Sequence, residues 1–273
     1  MKENFEGHLL NSILNLRKKF ESCPVGSNII YYHELPSTQK FLKNMVENSM
    51  ENIESGTSVI ALEQTEGIGK ANNVWYSPKG GIWLSIFLKK KMHPSKLFEV
   101  LLLSSLAICE SIESISNLTC RIKWPNDIFI NNKKVAGIII DSSVTSHEVD
   151  YMIIGIGINF DINLSTIVGK LKTSYSATSL KVECKNNISV YALLESLFNL
   201  LNKRLDLIET DTKELLNNYN SRLEKSFYKI VLEDGNIIEG YLLKIDDNQT
   251  VIIQDPSHSN TISIPHCYPF ETK

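Results

Sequence analysis

Residues 121–141 read RIKWPNDIFINNKKVAGIIID, and the way this stretch divides decides the fold. Arg121 to Ile130 and Val135 to Asp141 are runs of strand type, and Asn131-Asn132-Lys133-Lys134 between them fits a tight turn. A third strand is expected from Val149 to Asn159. Strands joined by so few residues run antiparallel, because a parallel pair needs a crossover of a dozen residues or more.

Working outward, Ile82 to Leu88 is an alternating strand and Ser58 to Gln64 another, with a polar, glycine-bearing loop from Thr65 to Gly81 between them. Leu97 to Ile115 reads as a largely buried helix. Upstream, Leu9, Leu10, Ile13, Leu14 and Phe20 recur at helical spacing until Pro24 and Gly26 stop the helix. A strand at Asn28 to Tyr32 follows, then a helix-start signal at Leu35-Pro36-Ser37-Thr38. Helices are expected across Val190 to Ile208 and Thr212 to Glu224. From Ser226 the texture changes to short β-type runs: Phe227 to Leu232, Ile237 to Ile245, Val251 to Ile253 and Thr261 to Ile264. Asp234-Gly235, Asp246-Asp247-Asn248 and Asp255-Pro256 separate them, as in a small barrel-like domain. The expected class is therefore α+β with a largely antiparallel sheet, not a doubly wound parallel sheet. The expected division is an N-terminal helical extension over 1–28, a main domain over 29–225 and a small β domain over 226–273.

Composition narrows the function. The 28 basic and 31 acidic residues leave a net charge of −3, which argues against a strongly basic nucleic-acid binder. A single helix precedes the first strand, too little for a helix-turn-helix module, so operator DNA is not an expected partner. The longest apolar runs, such as Leu101 to Leu103 and Ile153 to Ile158, fall far short of the ~20 residues that span a bilayer. With no apolar segment at Met1 to Asn4, a cytoplasmic protein without membrane contact is expected. Cys23, Cys109, Cys120, Cys184 and Cys267 are odd in number, widely spaced and lack a CxxC pair, which speaks against a disulfide framework or a zinc site. The histidines are scattered, with no HExxH, and no metal ligands are assigned; GxSxG is absent too.

Four stretches carry chemistry. Glu63 to Trp75 follows a strand with Gly67, Gly69 and Lys70, where backbone N–H groups can approach an anion and a lysine adds charge; Gln64 and Ala71 break the Walker pattern. Lys123-Trp124-Pro125-Asn126-Asp127 puts a proline and two poor strand formers inside a strand-like run, a local conflict of the kind that gathers at sites. Lys133 to Asp141 carries Gly137 inside an apolar strand, which suggests close approach of a ligand or another backbone. Gly155-Ile156-Gly157-Ile158-Asn159 lacks the third glycine of a dinucleotide fingerprint and reads as a buried strand of small residues.

Taken in order, Ser37-Thr38-Gln39, the loop closing in Trp75-Tyr76-Ser77-Pro78-Lys79-Gly80-Gly81, the Lys123 to Asp127 block, and Lys134-Val135-Ala136-Gly137 with Gly155 to Asn159 resemble the biotin–protein ligases, in a short form without a DNA-binding domain. The resemblance implies a fold like the class II aminoacyl-tRNA synthetases with an SH3-like C-terminal β-barrel. It implies a two-step reaction: biotin and Mg2+-ATP give biotinyl-AMP, and a lysine of a biotin carboxyl carrier protein takes the biotin. It places biotin near Ser37, Thr38, Gln39, Gln64, Gly67, Ile68, Gly69, Lys70 and Gly137. Lys134 meets the carboxylate and the α-phosphate, with Lys70 as a further catalytic charge. Lys123, Trp75, Asn73, Asn126 and Asn159 lie by the adenylate, and Asp127 orients or deprotonates the acceptor lysine. A homodimer through the sheet edge, found in some relatives, is not decided by any residue.

The chain departs from the family where Ile68 and Lys70 replace two loop arginines and Asn72 replaces a glycine. Lysine lacks the planar fork of arginine, and Ile68 has no charge, so a loosely held adenylate is expected. Two other readings share the fold: a non-catalytic sensor of biotin or biotinyl-AMP, and a lipoate or octanoate ligase or transferase.

Overall fold

A computed structural model describes residues 5–49, 53–70, 73–145, 147–164, 176–206, 208, 212–231, 236–257, 260–265 and 271–272. The elements in chain order are α1 (Phe5–Phe20), β1 (Ile29–Leu35), α2 (Thr38–Ser49), β2 (Ser58–Gln64), β3 (Ile82–Leu88), α3 (Lys96–Ile115), β4 (Arg121–Lys123), β5 (Asp127–Ile130), β6 (Lys133–Thr145) and β7 (Glu148–Ile158). They continue with α4 (Leu180–Glu183), α5 (Val190–Leu205), α6 (Thr212–Arg222), β8 (Phe227–Val231), β9 (Ile237–Ile245), β10 (Thr250–Gln254), β11 (Thr261–Pro265) and β12 (Glu271–Thr272).

The class is mixed α+β. A seven-stranded sheet runs in the order β1-β2-β3-β7-β6-β5-β4. Every neighbouring pair is antiparallel except β1 and β2, which are parallel. The sheet is largely antiparallel, as the sequence suggested, and the sequence left the pairing of its first two strands open: α2 is a helical crossover between them, as a parallel pair demands. The hairpin between β5 and β6 turns at Asn131 and Asn132, both at positive φ (51° and 60°), the backbone of a two-residue turn that follows the strand twist.

Strand side chains alternate between faces. Ile154, Ile156 and Ile158 of β7 join Ile82, Leu84 and Ile86 of β3 in the main core, under α3, α5 and α1. On the opposite face Val59, Ala61, Phe87 and Ile153 pack with Leu42 and Val46 of α2 in a smaller core. The stretch of that second face beyond α2 carries the site.

Several expectations shift. The run from Arg121 to Ile130 is two strands, with Trp124-Pro125-Asn126 forming the turn and Lys123 pairing with Asp127. Pro125 has no N–H for a ladder, and its carbonyl accepts from Tyr219 Oη at 2.8 Å. The first strand runs on to Leu35, β6 and β7 extend further toward their hairpin than read, and α4 and β12 went unnoticed. From Phe227 the chain forms a second, five-stranded sheet in the order β11-β10-β9-β8-β12. Its Tyr228, Ile230, Leu242, Val251 and Ile253 belong to the same buried cluster as the main core. Asn220 of α6 clips it in place, donating to Ile245 O at 2.7 Å and accepting from Ile245 N at 2.8 Å. Asn72, Asp234, Gly235 and Cys267 lie outside the described residues. Among the described residues, no helix is long and apolar enough to cross a membrane.

Candidate active site

The register of five strands lays a row across the sheet. Trp83 of β3 pairs with Gly157 of β7, Gly157 with Gly137 of β6, Gly137 with Asp127 of β5, and Asp127 with Lys123 of β4. The two glycines leave a trough in the middle of this row, and the Trp75 indole lies in it. A Cβ on Gly157 would meet Trp75 Nε1 at 2.7 Å, and one on Gly137 would meet the ring at 3.0 Å. The close approach that Gly137 signalled is made by this indole. Trp75 Nε1 is buried and has no hydrogen-bond partner among the described residues, so it is a donor held over the trough with nothing to donate to.

Trp75 arrives there on an ordered hairpin. Gln64 N donates to Ser77 O, Trp75 N to Gly67 O and Gly69 N to Asn73 O, at 2.7–2.9 Å. The glycine loop is thus a narrow ribbon folded back over the sheet. A Cβ on Gly67 would strike Trp75 O at 2.3 Å, so glycine is what lets the two strands of the ribbon close. Near its tip Lys70 Nζ sits 5.9 Å from the Trp124 ring centroid, and Asn73 Nδ2 donates to Lys70 O at 2.9 Å.

The charged end of the row is built on a bulge. Ile128 pairs with Ala136 but Phe129 with Lys134, so β6 has one residue more than β5 there. Bulges re-aim side chains. Lys134 turns its backbone to residues 176–178, accepting from Thr178 N at 2.8 Å and donating to Ser176 O at 2.9 Å. Its Nζ lies 2.7 Å from Asp127 Oδ1 and 4.8 Å from the Trp75 ring centroid. Lys123 stands at the end of the row, with its ammonium 5.8 Å from the Phe129 ring. Burial pushes its pKa below the usual lysine range, against the pull of Glu224 and Asp127, and the Lys134 charge adds to the lowering. The β5–β6 turn is anchored by Glu183 of α4, which accepts from Thr178, Asn131 and Lys133. Burial raises the Glu183 pKa, but these three donors outweigh it and hold the carboxyl below its usual value.

At the other end of the site Ser37, Thr38, Gln39 and Ser85 are buried and uncharged, with the half-buried carboxylate of Asp141 behind them. Ser37, at the β1–α2 turn, starts α2: its carbonyl accepts from Phe41 N and its Oγ from Lys40 N. Thr38 N donates to Gln64 Oε1 at 2.8 Å, and Thr38 Oγ1 lies 3.1 Å from the same oxygen and 2.8 Å from Ser85 Oγ. Gln64 Nε2 donates to Ser77 Oγ at 2.7 Å, which donates to Trp75 O. Gln39 Nε2 donates to Asp141 Oδ2 and Ile153 O, both at 3.0 Å, and its Oε1 accepts from Ser85 Oγ.

The structure therefore brings Thr38, Gln64, Gly67, Trp75, Asp127, Lys134 and Gly137 around one trough. Gln39 faces inward, and Ile68 pairs with Val74 in the ribbon. Asn126 and Asn159 spend their side-chain N–H groups on the backbone carbonyls of Ile138 (2.6 Å) and Thr178 (3.0 Å). Ser77 and Asp141 lie in stretches the sequence reading singled out but were given no role there, and Ser85 escaped it. Their signal was weak: Ser85 is a polar residue within the otherwise apolar β3, and Asp141 follows three isoleucines. Among the described residues, no group of three or more His, Cys, Asp or Glu side chains is placed to hold a metal.

Residues 32–159 match the model of the Biotin/lipoate A/B protein ligase family. The chain is 34% identical over 181 residues to the Bifunctional ligase/repressor BirA of Bacillus subtilis (strain 168), covering 66% of this chain and 54% of that protein. It is 32% identical over 169 residues to the Biotin–protein ligase of Homo sapiens, covering 59% of this chain and 23% of that one. It thus spans about half or less of the length of these curated relatives. The structure of a biotin protein ligase from Aquifex aeolicus, in complex with biotin and ATP, superposes with a TM-score of 0.71. That match covers 90% of this chain and 99% of the other at 24% identity, a likeness of fold.

Proposed function

We propose, from the match of residues 32–159 to the model of the Biotin/lipoate A/B protein ligase family, that the protein activates biotin with ATP and transfers it to a lysine of a biotin carboxyl carrier protein. The observation that carries this reading is the Lys134 ammonium at the edge of a glycine-floored trough, 4.8 Å from an indole whose buried N–H has no partner among the described residues.

In the first step a biotin carboxylate oxygen attacks the α-phosphorus of ATP. The bond to the β-phosphate oxygen breaks and pyrophosphate leaves. Two anions meet, so fixed positive charge is needed where negative charge gathers. Lys134 supplies it from a strand end and Lys70 from the ribbon. Magnesium enters with the ATP phosphates, as in other nucleotidyl transfers. In the second step the acceptor lysine nitrogen attacks the carbonyl carbon of the mixed anhydride, the C–O bond breaks and AMP leaves. A free lysine, with a reference pKa of ~10.4, must first lose a proton. In this reading Asp127 parts from Lys134 and takes that proton. The ribbon formed by residues 64–70 and 73–77 shields the anhydride from water.

In the same reading biotin lies by Ser37, Thr38, Gln64, Gly67 and Gly137, and the adenylate by Trp75, Asn73, Lys123, Asn126 and Asn159. The second sheet, over 226–273, is read as an SH3-like barrel beside a catalytic domain over 29–225, and the reaction as cytoplasmic. The deciding experiment incubates the protein with Mg2+-ATP and biotin, lipoate or octanoate, then adds hydroxylamine and weighs the product. Biotin hydroxamate is the expected product. Another acyl hydroxamate makes the protein a ligase for a different acid, and none at all makes it a sensor.

A further inference from the structure

We infer that Asp141, Gln39 and Ser85 form a one-way hydrogen-bond relay that leaves the Thr38 hydroxyl only lone pairs to offer a ligand, so that the pocket selects a molecule presenting an N–H at this point. The inference rests on biotin being the ligand and names which chemical edge of it Thr38 reads.

The argument counts hydrogens. The nitrogen and oxygen of an amide side chain are told apart by their partners. Gln39 Nε2 lies 3.0 Å from Asp141 Oδ2 and 3.0 Å from Ile153 O, two groups that accept, so the amide nitrogen faces them. Gln39 Oε1 therefore faces Ser85 Oγ, 2.9 Å away, and takes its hydrogen. A serine hydroxyl has one hydrogen to give. The 2.8 Å contact between Thr38 Oγ1 and Ser85 Oγ then needs the hydrogen of Thr38. The other acceptor in reach, Gln64 Oε1 at 3.1 Å, is also a protein group, fixed in orientation by Thr38 N–H at 2.8 Å. Whichever oxygen takes it, the Thr38 hydrogen is spent inside the protein. Because the chain starts at a carboxylate, each link polarises the next in one direction and enriches the oxygen at its end.

Three of the four members are shut away from water, since Ser85, Gln39 and Thr38 are 0%, 2% and 3% exposed, while Asp141 at the head is half-buried. It also accounts for Gly155, where a Cβ would lie 2.6 Å from Gln39 Oε1 and push the amide out of line. In biotin the matching group is a ring N–H of the cyclic urea. Ser85, Gln39 and Asp141 are thus positioning residues that act through Thr38.

The test compares dissociation constants, by calorimetry on the intact protein, for biotin and for its cyclic carbonate analogue, in which ring oxygens replace both N–H groups. The parent should prefer biotin by about a hundredfold or more, since the analogue turns an acceptor toward an acceptor. In Ser85→Ala the Thr38 hydrogen loses its 2.8 Å acceptor and keeps only the longer 3.1 Å contact to Gln64 Oε1; the analogue can then compete for it, and the preference should fall by up to about tenfold, the value of one hydrogen bond. Asp141→Asn, which removes only the charge at the head of the relay, should lower it about two- to threefold and is decisive if Ser85→Ala does not fold. A proportional loss of both ligands, with the preference unchanged, would mark the relay as structural scaffolding and overturn the inference alone. A parent that binds no biotin overturns the functional reading and this inference together.

Discussion

The two ends of the trough are built against one sheet, yet by opposite means. At one end Lys134 and Asp127 face each other at 2.7 Å, 20% and 16% exposed, beside Lys123. At the other, Thr38, Gln39 and Ser85 are almost wholly buried and uncharged, and their hydrogen bonds are all internal. Charges left near water can change partners during a reaction, whereas a buried neutral network is costly to disturb and keeps one geometry. The difference separates chemistry from recognition along a single sheet.

That division can be broken most sharply at the charged end. Lys134→Ala should lower the rate of pyrophosphate release by about 10²- to 10³-fold, the usual loss when one transition-state charge is removed. A loss below tenfold would move the phosphate-binding role elsewhere. Asp127→Asn should slow transfer to an acceptor lysine by about 10²-fold while hydroxylamine still traps biotinyl hydroxamate at close to the parent rate. If activation falls along with transfer, Asp127 serves the first step instead.

At the glycine floor, Gly157→Ala forces the Trp75 indole to move, because the new methyl meets it at 2.7 Å. Overpacking of this kind costs about 1–3 kcal/mol, so biotin affinity measured by calorimetry should drop about tenfold with little change in the rate of the bound complex. On the ribbon, Ile68→Arg with Lys70→Arg should cut free biotinyl-AMP released per turnover several-fold, since guanidinium groups grip phosphate as forks. A double variant that leaks as much as the parent refutes the loose-grip account.

The smallest effect is on stability. The carboxyl of Glu183 is held below its usual pKa, so its contribution is present above the unfolded value near 4.5 and is lost as pH falls through the folded one. Glu183→Gln should lower Tm by roughly a few degrees at pH 7. The gap to the parent should narrow progressively in melts taken below pH 4.5; a gap that does not change with pH would mean packing, not charge.

Much of this was legible in the sequence because it is local. The strand at Ser58–Gln64, the strand at Ile82–Leu88 and the start of α2 after Ser37 follow from alternation and a cap. Asp127 drew notice because its stretch breaks a local rule, whereas Lys134, Gln64 and Trp75 drew their roles from the resemblance to the biotin–protein ligases. The parallel β1–β2 pair was left open because the helix between them reads the same whether the next strand joins as a parallel or an antiparallel neighbour. Ser85 and Asp141 were given no role because a lone polar residue at the middle or end of an apolar run has no meaning until its partners are known.

By itself, then, the sequence determined the elements, the class of fold and the residue types able to do the chemistry, since these depend on neighbours a few positions apart. Tertiary structure alone decided what the glycines are for. Gly137, Gly155 and Gly157 lie far from Trp75 and Gln39 along the chain, and only the pairing of β3, β6 and β7 turns three missing side chains into one trough. It decided the direction of the relay as well, because the hydrogen of a hydroxyl follows the acceptors around it, and Thr38, Gln39, Ser85 and Asp141 meet only when the sheet has formed.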